Sequence, residues 1–185
     1  MALTPSNMLP LGTKAPEFNL PDCRSGKNVS LQHIKSDIAT VILFICNHCP
    51  YVKHIQTRLV EVIKKYQAKG ISFIAINSND TQKYHADSPE NMRKEAEMHD
   101  YTFPYLFDET QTVAKAYQAA CTPDLYVFDH NLACVYRGRF DDSSPGNNIP
   151  VTGKELTAAL DAILSGKPVN TDQQPSVGCN IKWKK

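Results

Sequence analysis

Two cysteines separated by two residues carry the chemistry that this sequence offers most clearly. Cys46 and Cys49 enclose Asn47 and His48 in a Cys-x-x-Cys pair. A cysteine reacts as its thiolate, and the unpaired N–H groups and dipole at a helix N-terminus stabilise that anion. A thiol three residues on can attack a mixed disulfide formed at the first cysteine, so the pair cycles between dithiol and disulfide. The pair therefore predicts thiol–disulfide exchange.

The histidine inside the pair is a candidate modulator of this chemistry. His48 lies between the cysteines, and a histidine at that position can stabilise the thiolate of Cys46. Such stabilisation favours the dithiol and moves the couple toward the oxidising end of the scale. This is a hypothesis, and a measured Cys46 pKa near that of free cysteine would contradict it.

Two other interpretations of the same residues stay open. Cys46 and Cys49 are either buried structural cysteines or, with His48 and His54, ligands of a copper or zinc ion. Structural zinc sites often contain Cys-x-x-Cys, but they normally take a second ligand pair at a defined spacing, and none follows here. The redox interpretation is favoured because Cys-x-x-Cys between a strand and a helix is a specific signal.

The flanking residues predict the elements that position the pair. Thr40–Ile45 is a continuous β-branched and aromatic run, which is typical of a strand buried on both faces. After the cysteines, apolar residues recur at helical spacing from Val52 until Gly70 ends the helix. Ile71–Ile76 is a second buried strand. This strand–helix–strand unit predicts parallel strands with the pair at the junction.

The rest of the chain continues the alternation and predicts an α/β protein with a thioredoxin-like fold. A central mixed β-sheet is flanked by helices, with an N-terminal β-hairpin extension. We expect one domain over residues 1–185, with an extended lead-in at 1–16 and a polar C-terminal tail at 166–185. The further predicted elements are the hairpin Phe18–Leu20 and Val29–Leu31, a helix from Pro89 to Met98, a short edge strand within Tyr101–Phe107, a helix over Gln111–Ala119, the strands Leu125–Phe128 and Ala133–Arg137, and a helix over Lys154–Leu164.

Composition narrows the classes of function. A formal net charge of +1 on 185 residues argues against a broad nucleic-acid-binding face. The sequence lacks a run of about 18 apolar residues, so we expect no membrane span. The first 20 residues lack the charged start and continuous apolar segment of a signal peptide, and the cytoplasm is therefore the expected compartment.

Several motifs taken together resemble one known family. The strand–Cys-x-x-Cys–helix unit followed by Thr122-Pro123 resembles the thioredoxin fold. The chain is similar to peroxiredoxin-like proteins of the thioredoxin superfamily, often labelled AhpC/TSA, over nearly its whole length. The motifs that carry this resemblance are CNHCPYVK at 46–53, FPYLFDETQ at 103–111, CTPD at 121–124, YRGRFDD at 136–142 and GCNIKW at 178–183.

The resemblance implies roles for residues far from the pair. Pro123 is expected to be cis, with its loop against the dithiol and Thr122 offering backbone hydrogen bonds to a substrate. Cys121 then falls near the dithiol, either as a third redox thiol or as a small apolar filler. Cys179 is either a mobile resolving thiol or part of a docked structural tail, and the docked tail is favoured.

Two departures from the family patterns define the main alternative function. Ile45 replaces the tryptophan that usually precedes the first cysteine of a thioredoxin motif. Overlaying the peroxiredoxin pattern Thr-x-x-Cys-Pro puts Cys49 and Pro50 on the peroxidatic cysteine and its proline, while Cys46 replaces the threonine. The alternative is therefore a thiol peroxidase in which Cys49 is oxidised to sulfenic acid.

The sequence as a whole predicts a thiol–disulfide oxidoreductase without a cofactor. Cys46 is the expected nucleophile and Cys49 the expected resolving thiol. The expected partners are a disulfide-containing protein or a small thiol or peroxide substrate, and an external thiol reductant. Asn77–Asp80 ends a strand at the sheet edge where α/β sites form, and either lines the cleft or makes an ordinary turn.

Overall fold

Strands and helices alternate along the part of the chain that the structure describes, residues 3–185 of a computed structural model. The order agrees with the predicted α/β class. The elements are β1 (Leu3–Pro5), β2 (Asn19–Pro21), β3 (Asn28–Ser30), α1 (Leu31–Ile34), β4 (Ala39–Phe44), α2 (Pro50–Gln67), β5 (Ser72–Asn77), a 3-10 helix (His85–Asp87), α3 (Pro89–Met98), β6 (Tyr105–Phe107), α4 (Thr112–Ala116), β7 (Cys121–Thr122), β8 (Asp124–Asp129), β9 (Cys134–Gly138), α5 (Lys154–Leu164) and β10 (Val177–Asn180).

A mixed five-stranded sheet, in the order β6-β5-β4-β8-β9, forms the centre of the molecule. β4 is buried at every position and pairs in parallel with β5 and antiparallel with β8. The crossover between the parallel strands is α2, so the predicted strand–helix–strand unit is confirmed. β6 pairs in parallel with β5 at one edge, as expected for a short edge strand.

The continuous apolar sequence of β4 is explained by burial on both faces of the sheet. Val41 and Leu43 belong to one core cluster, which includes side chains of α2, α3 and α5. Ile42 and Phe44 point the other way, into a second cluster that includes side chains of α1 and α4. This alternation is the period of two expected for a strand, and it confirms a sheet flanked by helices.

The long helix α2 begins directly after the second cysteine. Cys49 is its N-cap residue with extended backbone angles, and Pro50 occupies the first helical turn, where a missing N–H costs nothing. Lys64 and Lys65 lie in the last turn, where cations complement the helix dipole. The apolar stripe predicted from sequence is buried, with Ile63 fully covered.

The hairpin predicted near the N-terminus is present, because β2 and β3 pair antiparallel. The predicted lead-in (1–16) and tail (166–185) were not expected to contain strands. Each of them contributes a strand, and β1 and β7 pair antiparallel with either side of β10 to form a separate three-stranded sheet. Strands of two to four residues show no periodicity of their own, and these depend on pairing between distant parts of the chain.

Among residues 3–185, none of the helices combines the length and the apolar composition needed to cross a membrane.

Candidate active site

The two cysteines of the pair meet at the loop that contains Pro123. Cys46 follows β4, and Cys49 caps α2; their exposed fractions are 2% and 0%. Cys46 Sγ lies 3.3 Å from Thr122 Oγ1, and the Cys49 thiol donates to the Thr122 carbonyl oxygen at 3.1 Å. The Thr122–Pro123 peptide bond is cis. The loop therefore lies against the dithiol, in the arrangement that the resemblance implied.

The thiols of Cys46 and Cys49 titrate as a pair. A hydrogen bond from the Cys46 thiol lowers the pKa of Cys49 to about 4. The same hydrogen bond, followed by burial and the charge of Asp87, raises the pKa of Cys46 well above its usual value. One proton therefore leaves the pair easily and the other is retained between the two sulfurs. Both steps belong to the dithiol as a unit.

A buried carboxylate organises the loop between the cysteines. Asp87, at the end of the 3-10 helix, is fully buried and accepts the Asn47 backbone N–H at 2.8 Å. The same carboxylate contacts His48 Nδ1 at 2.6 Å and accepts Asn79 Nδ2 at 2.9 Å. Burial tends to raise the pKa of Asp87, but the hydrogen bonds from His48, Asn79 and Asn47 outweigh it, so the pKa is lowered. Asp87 is thus an anion at neutral pH.

The ring of His48 is oriented by this anion. Since a carboxylate only accepts, His48 Nδ1 carries a proton toward Asp87. His48 Nε2 is buried, with no hydrogen-bond partner among residues 3–185. The ring also stacks on Tyr84, with 5.3 Å between the centroids and 12° between the planes. The second nitrogen therefore remains available for a proton or another ligand.

The side chain of Asn47 ties the loop to the sheet. Its Nδ2 donates to the Ala86 carbonyl oxygen at 2.7 Å, and its Oδ1 accepts the Tyr105 hydroxyl at 2.9 Å. Tyr105 is fully buried in β6. Pro50, by contrast, is exposed. The residues between the two cysteines are therefore positioned by contacts with β6 and the 3-10 helix.

The other cysteines of interest lie on the two strands beside Pro123. Cys179 of β10 is directly opposite Thr122 in the antiparallel pair, so both side chains lie on one face. Cys179 is buried in the same core cluster as Cys46 and Cys49. Cys121 precedes Thr122 and points to the opposite face. Burial, then the charge of Asp124, raises the pKa of Cys121 far above its usual value.

One expected role of Thr122 does not agree with the structure. Its backbone was expected to be available to a substrate chain, but β7 is paired with β10, which places Cys179 beside Thr122. The C-terminal tail of the same chain therefore lies where the substrate backbone was expected. The docked interpretation of the tail matches this arrangement.

Sequence reasoning missed the residues that position His48. Asp87 and Tyr84 belong to no motif, and nothing near them in sequence predicts a buried carboxylate or a stacked ring. Asn79 was in the polar run that follows β5, and it is buried with its side chain on Asp87. The only available signal was the position of that run at the end of a buried parallel strand.

The same side chains are the candidate ligands for a metal ion. Donor atoms of Cys46, His48 and Asp87 all lie within 4.8 Å of one another. His54, which the sequence offered as a ligand, instead lines a cleft of about 340 Å³ with Tyr51 and Pro123. Because His48 Nδ1 and Asp87 are already bonded at 2.6 Å, a metal at those atoms would have to displace that bond.

Comparisons with known proteins place this geometry in a family. The structure matches that of an uncharacterized conserved protein from Geobacillus kaustophilus at 61% identity and a TM-score of 0.98, covering 100% of this chain and 97% of that one. A hypothetical protein from Sinorhizobium meliloti 1021 matches at 46% identity and a TM-score of 0.95, covering 98% of each chain. No curated protein matches the sequence.

A more distant structure matches in fold. Peroxidoxin BcpB from Mycobacterium tuberculosis is 18% identical, with a TM-score of 0.61, and the match covers 84% of this chain and 96% of that one. The sequence profile of the AhpC/TSA family matches residues 11–137. Since that match includes both cysteines and the cis-proline and spans well over half of the sequence, the chain belongs to the AhpC/TSA family, whose members are typically thiol-based redox enzymes.

Proposed function

We propose that this protein is a thiol–disulfide oxidoreductase that uses Cys46 as nucleophile and Cys49 as resolving thiol. The observation that carries the proposal is the placement of both sulfurs at the N-terminus of α2, each in contact with Thr122. A helix N-terminus stabilises the thiolate that such chemistry requires. The proposed exchange needs no cofactor, because the two thiols suffice.

The proposed reaction takes two exchange steps. The Cys46 thiolate attacks one sulfur of a substrate disulfide, forming a mixed disulfide and releasing the other substrate sulfur as a thiolate. The Cys49 thiolate then attacks Cys46 Sγ, which releases the second substrate thiolate. The substrate gains two electrons and two protons, and the protein ends with a Cys46–Cys49 disulfide. An external thiol reductant returns it to the dithiol.

The hydrogen bonds at Thr122 support the assignment of the two roles. Cys49 Sγ lies 3.1 Å from a carbonyl oxygen, which favours a protonated Cys49 thiol and so opposes the lowering of the Cys49 pKa by the Cys46 thiol. Cys46 Sγ instead faces a hydroxyl, which can donate to a thiolate. Both cysteines are buried, with exposed fractions of 2% for Cys46 and 0% for Cys49, so exposure does not distinguish them. Because the pair shares its remaining proton, the direction from which a substrate approaches decides which sulfur attacks first.

We assign a positioning role to Asp87 and a proton-transfer role to His48. The Asp87 carboxylate fixes the His48 ring and its Nδ1 proton, which leaves Nε2 unpartnered among residues 3–185, and a ring nitrogen of His48 lies within 4.8 Å of Cys46 Sγ. The negative charge of Asp87 also opposes a thiolate on Cys46 and raises its pKa. Asp87 therefore works against a thiolate on Cys46 while it orients the His48 ring.

Trapping of the mixed disulfide tests the assignment of roles. A Cys49→Ser variant is incubated with a disulfide-bonded reporter peptide and analysed by mass spectrometry under non-reducing conditions. We expect a stable adduct on Cys46, no adduct with Cys46→Ser, and unchanged behaviour of the control Cys23→Ser. An adduct that requires Cys49 and forms without Cys46 would overturn the assignment.

A thiol peroxidase is the second candidate, and one observation favours it. The pKa of Cys49 is lowered to about 4 by the hydrogen bond from Cys46, and a low-pKa thiolate is the form that peroxide oxidises. In this reaction peroxide converts the Cys49 thiolate to sulfenic acid with release of hydroxide. Cys46 then displaces water from the sulfenic sulfur. Turnover with hydrogen peroxide that survives in Cys46→Ser for one cycle, but not in Cys49→Ser, would select this function.

A metal-binding module is the candidate from another class. Its only support is the clustering of donor atoms from Cys46, His48 and Asp87. Metal analysis of protein purified without chelator separates it from the redox functions. Copper or zinc at one ion per chain, lost in Cys46→Ser, would replace the redox proposal, whereas metal-free protein that cycles between dithiol and disulfide supports it.

A further inference from the structure

A third thiol, that of Cys179, lies beside the dithiol. Cys179 is directly opposite Thr122 in the β7–β10 pair, and directly opposed residues of an antiparallel pair share a face. That face is the one on which the Thr122 hydroxyl contacts Cys46 Sγ. Cys179 is 3% exposed and belongs to the core cluster that contains both cysteines of the pair. The thiols of Cys46, Cys49 and Cys179 therefore all lie around Thr122.

The approach of the tail to this residue is unusually close. A Cβ atom added at Gly178 would lie 2.0 Å from the Thr122 carbonyl oxygen and 2.8 Å from its carbonyl carbon. Real Cβ atoms essentially never come that near to backbone atoms, so only glycine permits this contact. Gly178 thus allows the tail to pack directly against the Thr122 carbonyl group, which also accepts the Cys49 thiol.

Contacts beyond Cys179 fix the tail in this place. The backbone N–H of Ile181 donates to the Ala120 carbonyl oxygen at 3.1 Å. The N–H of Lys182 donates to Asn79 Oδ1 at 2.8 Å, and Gln111 Nε2 donates to the Lys182 carbonyl oxygen at 2.9 Å. Asn79 also donates to Asp87, so one side chain contacts both the tail and the carboxylate that orients His48. Cys179 is therefore presented at a defined position.

From this placement we propose that Cys179 is a third redox thiol, which forms a second internal disulfide with Cys49. This inference rests on the proposed thiol–disulfide function, because that reaction supplies the Cys46–Cys49 disulfide on which Cys179 acts. Cys179 Sγ attacks Cys49 Sγ, the Cys49–Cys179 bond forms and the Cys46–Cys49 bond breaks. The electron pair of the broken bond leaves on Cys46 as a thiolate, and the proton of Cys179 balances that charge. The disulfide moves from Cys46–Cys49 to Cys49–Cys179 with no change in the total number of electrons.

The electrostatics of the cluster make this exchange conditional on the state of Cys49. The pKa of Cys179 is raised to about 12, by burial first and then by the hydrogen bond and the charge of Cys49. Both contributions of Cys49 disappear once it is part of a disulfide. Cys179 is thus kept protonated in the dithiol state and becomes easier to deprotonate after the substrate has been reduced. The exchange would free Cys46 for a second substrate before the external reductant acts.

Cys121 is not part of this relay, although it neighbours Thr122 in sequence. Its side chain lies on the opposite face of β7, with Sγ 3.6 Å from the Pro123 carbonyl oxygen. Cys121 also lies outside the core cluster of the three thiols. It therefore provides a matched control, since it is a buried cysteine that also neighbours Thr122.

Oxidation of a protein that lacks Cys46 tests the second disulfide directly. Purified Cys46→Ser is titrated with oxidised glutathione, alkylated, digested and mapped by mass spectrometry. We expect an intramolecular Cys49–Cys179 disulfide, its loss in Cys46→Ser/Cys179→Ala, and its retention in Cys46→Ser/Cys121→Ala. Wild-type and Cys179→Ala protein are oxidised in parallel and mapped for the Cys46–Cys49 disulfide.

The outcomes separate the two proposals. If wild-type protein forms Cys46–Cys49 but Cys46→Ser leaves Cys49 and Cys179 as free thiols or glutathione adducts, the relay is wrong and the oxidoreductase stands. If Cys179→Ala protein, in which the relay is blocked, forms no Cys46–Cys49 disulfide, the oxidoreductase proposal fails, whatever Cys46→Ser shows. Circular dichroism of each variant confirms folding, and Cys179→Ser replaces Cys179→Ala if the alanine variant is unfolded.

Discussion

The dithiol loop and the C-terminal tail reach Thr122 from different directions and are built in different ways. The loop follows a fully buried strand and leads into an 18-residue helix, so neighbours in sequence position its sulfurs. The tail is held through partners that are distant in sequence, such as Thr122 for Cys179 and Asn79 for Lys182. Local sequence therefore determines where the reactive pair lies, while long-range pairing determines what surrounds it.

Because of this difference, substitutions in the dithiol loop and in the C-terminal tail should have different effects. A change in the loop should alter the reaction and spare the fold, since the buried strand and the helix form without the sulfurs. A change in the tail should alter stability and the access of a substrate to Thr122. Asp87 and Asp124 lie where the regions meet, and changes there should affect stability in a pH-dependent way.

Removing the proposed nucleophile should have the largest effect. Cys46→Ser should lower the rate of disulfide reduction by at least roughly 1,000-fold, because a hydroxyl at that position does not form a mixed disulfide. The measurement is steady-state reduction of a disulfide reporter with a thiol reductant in excess. Cys23→Ser is the control and should keep the wild-type rate. A loss of less than tenfold in Cys46→Ser would contradict the role given to this residue.

Neutralising the buried anion should destabilise the loop. Asp87→Asn replaces an acceptor of three hydrogen bonds and brings an NH2 group against other donors, which should lower the free energy of unfolding by about 3 kcal/mol near pH 7. Because the folded-state pKa of Asp87 is lowered, this contribution is present above the ordinary carboxyl pKa of 3.8 and is lost as the pH falls through the lower folded value.

Urea unfolding of wild type and Asp87→Asn from pH 3 to pH 8 measures this contribution. The difference between the two proteins should shrink at the acid end. Asp100→Asn is the control, because Asp100 also accepts a hydrogen bond from a basic side chain, Lys64, but is exposed to solvent. Equal destabilisation by the two substitutions would mean that the burial of Asp87 has no special effect.

Asp124, which follows the cis-proline, should have the opposite pH dependence, because its contribution to stability should fall as the pH rises. Burial raises the pKa of Asp124 to about 6, so its protonated form is favoured in the folded protein. The wild type should therefore lose about 3 kcal/mol of stability between pH 4 and pH 8 relative to Asp124→Asn, from a shift of about two pKa units. Parallel urea titrations measure this, with exposed Asp37→Asn as control. Parallel pH profiles of wild type and Asp124→Asn would contradict the prediction.

Adding one methyl group to the tail should have the smallest of these effects on the free energy. Gly178→Ala brings a Cβ against the Thr122 carbonyl group, and relief of the clash should cost roughly 2 kcal/mol. Thermal unfolding should then show a Tm lower by several degrees. Val177→Ala, at a half-exposed position of the same strand, is the matched control. An unchanged Tm in Gly178→Ala would mean that the tail does not press on Thr122.

The parts of the molecule that the sequence predicted are those with strong local patterns. The apolar run of β4, the helical spacing of α2 and the start of α3 at Pro89 each reflect structure formed by neighbouring residues. The separate sheet of β1, β7 and β10 could not be predicted, because such short strands have no period and their partners are far away in sequence.

In the candidate site, too, some residues could be predicted from the local sequence and others could not. Cys46, Cys49 and Pro123 were found from spacing and resemblance. Asp87 was missed because its role depends on three donors that converge from different segments. The place of Cys179 beside Thr122 likewise follows from the strand register rather than from any motif. The groups that tune the dithiol are therefore visible only in three dimensions.

The most direct test of the central claim is a redox titration of the Cys46–Cys49 couple. Cys179→Ala protein, in which Cys179 cannot compete for Cys49, is equilibrated in thiol–disulfide buffers of defined potential, quenched in acid, alkylated and analysed by mass spectrometry. We predict one reversible two-electron transition in which Cys46 and Cys49 lose their alkylation together, with a midpoint between about −270 and −120 mV, the range of known dithiol oxidoreductases. Cysteines that remain alkylated at every potential, with no internal disulfide between Cys46 and Cys49, would contradict the account.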